Sequence, residues 1–289
     1  MLQDLPFGRL ENEFKNLSPE RDDIVVCFRN NDVLIKRDEF DALTLPTVAQ
    51  VGEWAYANNW EHWNEEAFQY VFRMQDVNYF IWMGEAGEPG DPAFAYENAK
   101  GIRQRNSKHI CFAELTAWHL FSWYRTSRFC GRCGTPTVHD GKERMMRCPH
   151  CGNMIFPRIS PSVIVGVIDG DRLLLSKYAN RANARYALIA GFTEIGETGE
   201  QTVAREVLEE VGLKVKNIRY YKSQPWGIAG NLSVGYFCDL DGDDETITLD
   251  ENELAGAEWF HRDDIPAKDD GISLTREMMR IFGEGKEPK

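Results

Sequence analysis

The stretch from Gly191 to Leu213, GFTEIGETGEQTVAREVLEEVGL, leaves few choices for the fold around it. Thr198 followed by Gln201 is the signature of a capping box and predicts a helix from Thr198 to Val211. Glu197 and Glu200 suit the positive end of that helix, and Gly212 supplies the left-handed residue that stops it. Val203, Val207 and Val211 recur every four residues and are joined by Ala204 and Leu208, which predicts an apolar face packed on a sheet. Glu206 and Glu210 stand one turn apart, with Glu209 on the same side. Carboxylates so placed repel one another, and a cation relieves the repulsion. Hard oxygen donors suit Mg²⁺ or Mn²⁺, ions that neutralise phosphate charge and activate water. The alternative is an exposed acidic face paired with arginines; the glycine and arginine positions around the glutamates favour the metal.

A second constellation lies upstream. Cys130-Gly131-Arg132-Cys133-Gly134 and Cys148-Pro149-His150-Cys151-Gly152 repeat one pattern, with fourteen residues between Cys133 and Cys148. Each pair puts two thiolates on a tight turn, and four sulfurs suit tetrahedral Zn²⁺. Four thiolates close the shell, so the zinc is expected to be structural, with His139 and His150 as bystanders. Cys27, Cys111 and Cys238 stand alone. An odd total of seven with this clustering favours metal over disulfides and implies a reducing, cytoplasmic setting.

The rest of the sequence sets an α+β organisation in three parts: an N-terminal domain over 1–124, a zinc ribbon over 125–157 and a catalytic domain over 158–289. Strands are expected at Ile24 to Phe28, Asp32 to Lys36, Val163 to Ile168, Arg172 to Ser176, Tyr186 to Ile189, Val215 to Tyr221, Val234 to Leu240, Thr246 to Leu249 and Glu258 to His261. Further helices are expected at Lys108 to Tyr124 and Ser273 to Phe282. The aromatics from Trp54 to Trp82, Trp63 among them, read as core or dimer interface. The N-terminus lacks the pattern of a secretion signal, and the apolar run Val163 to Ile168 is far shorter than the roughly 20 residues of a membrane span. A net charge of −13 opposes broad nucleic-acid binding, yet Arg125 to Arg158 holds seven bases against two acids, an island that could attract a phosphate-rich ligand.

Gly191, Glu197, Arg205, Glu206, Val207, Glu209, Glu210, Gly212 and Leu213 fit every fixed position of Gx₅Ex₇REUxEExGU, where U is apolar. This resembles the Nudix box. A four-cysteine ribbon ahead of it, Ser223-Gln224-Pro225-Trp226 behind it, and Glu253-Leu254 before Glu258-Trp259-Phe260 resemble the zinc-ribbon NADH pyrophosphatases (NAD diphosphatases). The resemblance implies a C-terminal α/β/α sandwich with a mixed sheet, and metal-dependent hydrolysis of NADH or NAD to nicotinamide mononucleotide and AMP. It implies Glu206, Glu209 and Glu210 as ligands of Mg²⁺ or Mn²⁺, with Glu253 as a late ligand, Arg205 holding the glutamates and Glu197 assisting from the loop. It also implies Phe156, Phe192 and Trp226 as aromatic walls for the bases, Gln224 and Asn231 at the ligand, and a homodimer. Removal of NAD caps from RNA is permitted by the same resemblance. After Trp226 the sequence Gly227-Ile228-Ala229-Gly230-Asn231 departs from the family's Pro-Phe-Pro-x-Ser, so ADP-ribose and diadenosine polyphosphates stay open as substrates, as does a noncatalytic nucleotide sensor.

Overall fold

In a computed structural model of the chain, the residues described are all except 8–9, 59, 61–66, 102–106, 180–184 and 267–268; Trp63 lies outside them. The chain divides into two compact units. One holds Leu2–Arg158 with Gly227–Ala229, and the other holds Met1 with Ile159–Trp226 and Gly230–Lys289. The cysteine segment belongs to the former.

That first unit runs β1 (Ile24–Val26), β2 (Phe28–Arg29), β3 (Asp32–Arg37), β4 (Leu43–Thr44), α1 (Val48–Ala57), β5 (Phe68–Met74), β6 (Val77–Trp82), β7 (Phe94–Asn98) and α2 (Lys108–Thr126), then three short ribbon strands, β8 (Val138–His139), β9 (Met146–Arg147) and β10 (Met154–Ile155). The strand expected over Ile24 to Phe28 is split at Cys27, where the chain leaves one sheet (β1-β6-β5) and enters another in which β3 carries β2, β4 and β7. Trp54, Trp60, Phe68, Tyr70, Phe80 and Trp82 share one buried cluster, with Trp60 edge-on to Trp82 at 5.7 Å, so these aromatics are core. Tyr56 is the exception and faces solvent.

The second unit runs β11 (Ser160–Asp169), β12 (Arg172–Tyr178), β13 (Ile189–Phe192), α3 (Gly199–Val211), β14 (Val215–Trp226), β15 (Asn231–Leu240), β16 (Leu254–His261) and α4 (Leu274–Gly283). Its mixed sheet has the order β14-β15-β11-β12-β16, with β13 also on β11; β11 and β15 are parallel and the other pairs antiparallel. Alternation along β11 assigns its two faces. Val163, Val165 and Val167 pack with Val203, Val207 and Val211 of α3, while Ile164 and Ile168 pack with Leu274, Met278, Met279 and Phe282 of α4. The fold is thus α+β, a helix on each side of one sheet.

Several expectations shift. Thr246 to Leu249 forms no strand: Thr248 and Asp250 donate their amides to the Val211 and Glu210 carbonyls, filling acceptors that α3 leaves open at its end. The strand expected at Tyr186 to Ile189 begins instead at Ile189. The strand expected from Val215 to Tyr221 runs on to Trp226, and Pro225 is tolerated because β14 is an edge strand. On α3, Ala204 and Leu208 are exposed, while Thr202, Glu206 and Glu210 join the valines in the buried stripe.

Phe282 is fully buried among α4 and the sheet. Phe282→Ala is expected to lower the unfolding free energy by about 3–5 kcal/mol, seen as a lower urea midpoint at unchanged slope. A loss under ~1 kcal/mol would place α4 outside the cooperative core.

Candidate active site

The box residues converge because a strand, a loop and a helix are pinned at one point. Thr198 caps α3, its hydroxyl accepting from the Gln201 amide while the Gln201 side chain accepts from the Thr198 amide. At the other end Gly212 takes φ +75°, the left-handed conformation that closes a helix. In β13, Gly191 passes directly over the Glu206 carboxyl: a Cβ there would lie 1.9 to 2.2 Å from its carboxyl atoms. Only glycine lets the strand run so close.

Arg205 fills all of its guanidinium positions. Nε and Nη2 donate to the two oxygens of Glu197 at 2.6 and 2.9 Å, Nη1 donates to Glu206 at 2.8 Å and Glu209 at 2.9 Å, and Nη2 also reaches the Phe192 carbonyl at 2.9 Å. Glu197 further accepts from the Glu194 amide and the Thr202 hydroxyl. Led by the Arg205 bonds, this network holds its carboxyl down at about 2, so it is a fixed anion. Thr202, buried on the helix, is a positioning residue that sequence reasoning passed over.

Glu210 has the opposite surroundings. It is 2% exposed, and neither oxygen has a hydrogen-bond partner of normal geometry, the Ala190 amide lending only weak help. Burial first, then the neighbouring charges of Glu206 and Glu253, push its carboxyl up to about 8. Glu206 is raised by burial and held back by Arg205. Glu253, which sits in a turn after Asp250, shares the field of Glu206 and Glu210. A buried carboxyl lacking donors beside two more carboxylates is a donor set that fits a divalent cation. Glu209 stands at the exposed edge of this group, tied to Arg205.

The remaining site residues divide. Phe192 and Trp226 lie in the second unit, the former 54% exposed and the latter half-buried; Phe156, 52% exposed, belongs to the first unit. Gln224, implied at the ligand, is buried: its Nε2 donates to the Ile272 carbonyl at 2.7 Å and its Oε1 accepts from the Leu274 amide at 2.8 Å, securing the start of α4. The strand's alternation turns it inward. Asn231 is buried too, its amide donating to the Ser162 and Ser233 hydroxyls at 2.6 and 3.0 Å.

The four cysteines form a second centre. Among the described residues, Cys130, Cys133, Cys148 and Cys151 are the one group of three or more His, Cys, Asp or Glu whose ligand atoms lie within 4.8 Å of one another. Sulfur separations of 3.5 to 3.6 Å come close to the roughly 3.8 Å that tetrahedral zinc with bonds of about 2.3 Å requires. The two knuckles share a backbone turn and differ in which amide faces sulfur. Gly134 and Gly152, at φ +73° and +72°, donate to the Cys130 and Cys148 carbonyls, and the amides of Arg132 and Cys151 approach the Cys130 and Cys148 sulfurs at 3.4 Å.

Comparison with known proteins agrees with both centres. Residues 158–280 match the NUDIX domain. The C-terminal part of this chain is a NUDIX domain. Residues 125–156 match the NADH pyrophosphatase zinc ribbon domain, which supports the four cysteines as a structural zinc site. Similar proteins include the NAD-capped RNA hydrolase NudC of Salmonella paratyphi C, 42% identical over 147 residues (51% of this chain, 56% of that protein), and of Klebsiella pneumoniae strain 342, 43% identical over 148 residues (51% and 56%). The chain thus spans about half the length of the curated relatives it matches. A solved NUDIX hydrolase from Nitrosomonas europaea aligns over 54% of this chain and 91% of its own at 23% identity, with a TM-score of 0.47.

Two outcomes follow from the NUDIX geometry. Gly191→Ala must displace Glu206 or the strand, and is expected to weaken Mn²⁺ binding, followed by paramagnetic resonance, at least tenfold (about 1.4 kcal/mol) while the helical signal persists. Unchanged binding would remove Glu206 from the cation site. Glu210 has its folded pKa raised from an ordinary 4.5 to about 8, so its contribution to stability is full below pH 4.5 and is lost as pH rises through 8. In the absence of divalent ions, Glu210→Gln should therefore gain stability over wild type at pH 9 but not at about pH 4.5. An equal difference at both pH values in urea denaturation would contradict the burial argument.

Proposed function

We propose that the protein is a metal-dependent hydrolase of the pyrophosphate bond in NADH or NAD, releasing nicotinamide mononucleotide and AMP, and that it also removes NAD caps from RNA. One observation carries the reading: a buried Glu210 without compensating donors, beside Glu206 and Glu253, in a NUDIX domain whose upstream neighbour is an NADH pyrophosphatase zinc ribbon. Relatives named NAD-capped RNA hydrolase support the RNA arm.

Glu206, Glu209 and Glu210, with Glu253 alongside, would hold Mg²⁺ or Mn²⁺. When bound, the ion supplies neutralisation of the pyrophosphate charge and activation of a water. Arg205 keeps Glu206 and Glu209 oriented, and Glu197, permanently ionised, keeps Arg205 oriented. Gly191 leaves room for the Glu206 carboxyl under β13. Phe192 and Trp226 offer aromatic faces for the bases, where stacking is worth roughly 1–3 kcal/mol and tolerates either base. Gln224 supports this group indirectly by fixing β14 to the start of α4, and Asn231 by ordering the hydroxyls of Ser162 and Ser233. Zinc in the ribbon is structural. The protein works as a homodimer in the cytoplasm. The sequence after Trp226, with Gly227 and Ala229 where the related family has prolines, keeps ADP-ribose and diadenosine polyphosphates as the alternative substrates.

The test is product analysis of NADH, NAD, ADP-ribose and NAD-capped RNA with purified protein in Mg²⁺ or Mn²⁺, beside Glu210→Gln. The expected result is release of AMP and reduced nicotinamide mononucleotide from NADH, lowered at least a hundredfold (about 2.7 kcal/mol) in the variant. Tight binding without cleavage of any of the four would replace hydrolysis with sensing.

A further inference from the structure

The first unit contains a cleft that none of the box residues lines. Its volume is about 890 Å³, within the range of roughly 300–1,000 Å³ typical of ligand pockets. Its walls come from the β2 end, residues 83–86, the C-terminal part of α2 and the ribbon residues Phe129, Thr137 and His139 that flank the first knuckle. Three arginines, Arg29, Arg125 and Arg128, face one acid, Glu85, across it.

The arginines are not equivalent. Arg29 is committed to Glu88 at 2.6 Å and lies 3.7 Å over the Tyr96 ring. Arg125 has only an aromatic neighbour, lying 5.5 Å from the Phe121 ring, and neither it nor Arg128 is in an ion pair among the described residues. Both are solvent-facing, in a protein of net charge −13 where a bare cationic pair is conspicuous. Between them and the ribbon, Phe129 is 60% exposed, and the His139 ring rests on Tyr124 at 5.1 Å. The backbone here is fixed: Thr137 donates its amide to the Arg128 carbonyl and its hydroxyl to the Ser127 carbonyl at 2.6 Å. The cleft therefore offers uncommitted guanidinium groups on a fixed backbone beside an exposed aromatic face.

We propose that this cleft is a second binding site, for a nucleoside phosphate. Guanidinium groups pair with phosphate oxygens through two parallel N–H bonds. A base stacks on an exposed ring whatever its identity, the combination by which single strands are held without sequence preference. A free mononucleotide and one unit of a single-stranded nucleic acid present the same phosphate and base; the chemistry of recognition is shared. The site stands independently of the reaction assigned to the NUDIX domain, and its occupancy is read without turnover.

The experiment uses the full-length, zinc-loaded protein without divalent ions. A fluorescein-labelled oligoadenylate of about ten nucleotides with a 5′-hydroxyl, within the usual footprint of one such site, and AMP are titrated separately against wild type, Arg125→Ala/Arg128→Ala and Phe129→Ala. The arginine pair is expected to matter about tenfold for binding, and its loss to flatten the dependence of log affinity on log salt by roughly 1.4, about 0.7 for each phosphate contact on a single strand. Phe129→Ala should weaken binding without changing that slope. Loss for the oligonucleotide alone assigns the site to a strand, and loss for AMP as well assigns it to the mononucleotide unit. Wild-type affinities for both probes in both variants, with zinc content unchanged, would overturn the proposal.

Discussion

A single guanidinium organises the NUDIX half of this protein. Arg205 uses all its N–H positions on Glu197, Glu206, Glu209 and the Phe192 carbonyl, and so joins the loop before α3, the helix itself and the end of β13. Lysine has three donors around one point and could not fan out to four acceptors on three elements. Once Arg205 is set, Glu206 is aimed and β13 is held against α3. The strand can lie there only because Gly191 has no side chain.

Burial of charge is the cost that shapes the helix. By its apolar residues alone, α3 would turn Ala204 and Leu208 toward the sheet along with its valines. Instead Leu208 is 49% exposed, and Glu206 and Glu210 occupy the buried side. Exchanging a leucine for two carboxylates on the inner face opposes folding. Under the proposed function that cost prepares the inner face of α3 for a divalent cation. The cysteine ribbon follows a simpler rule, since its four sulfurs serve one ion and nothing near them must stay open.

The site was more legible in the sequence than its surroundings. The box spacing fixed both helix ends, and the doubled CxxC pattern fixed the zinc ligands, because capping and metal geometry act over a few residues. What escaped were effects that depend on neighbours distant in sequence. The rotation of α3 is decided by β13, and Thr246 to Leu249 reads as a strand although helix carbonyls take its amides. Gln224 and Asn231 carry the residue types of ligand contacts, yet each is held by partners distant in sequence, Ile272 and Leu274 for one and Ser162 for the other, the latter joined by nearby Ser233. Pro225 looked like a loop signal because nothing local says that β14 is an edge. The cationic cleft was foreshadowed by the basic run from Arg125 to Arg158, but which of those bases lack a partner emerges only in three dimensions.

Gly166 shows what such close packing implies for assembly of the sheet. It falls between Ile164 and Ile168 on the α4 side of β11, and a Cβ there would sit 2.6 Å from the ring of Phe237 on β15. The gap and the ring form a key and keyway between two parallel strands. Sliding β15 by one residue would bring the ring against a filled position and exchange the contents of the two cores. A parallel pair has no tight turn to set its alignment, so here the missing side chain does that work, and the box strand paired to the same β11 inherits the accuracy.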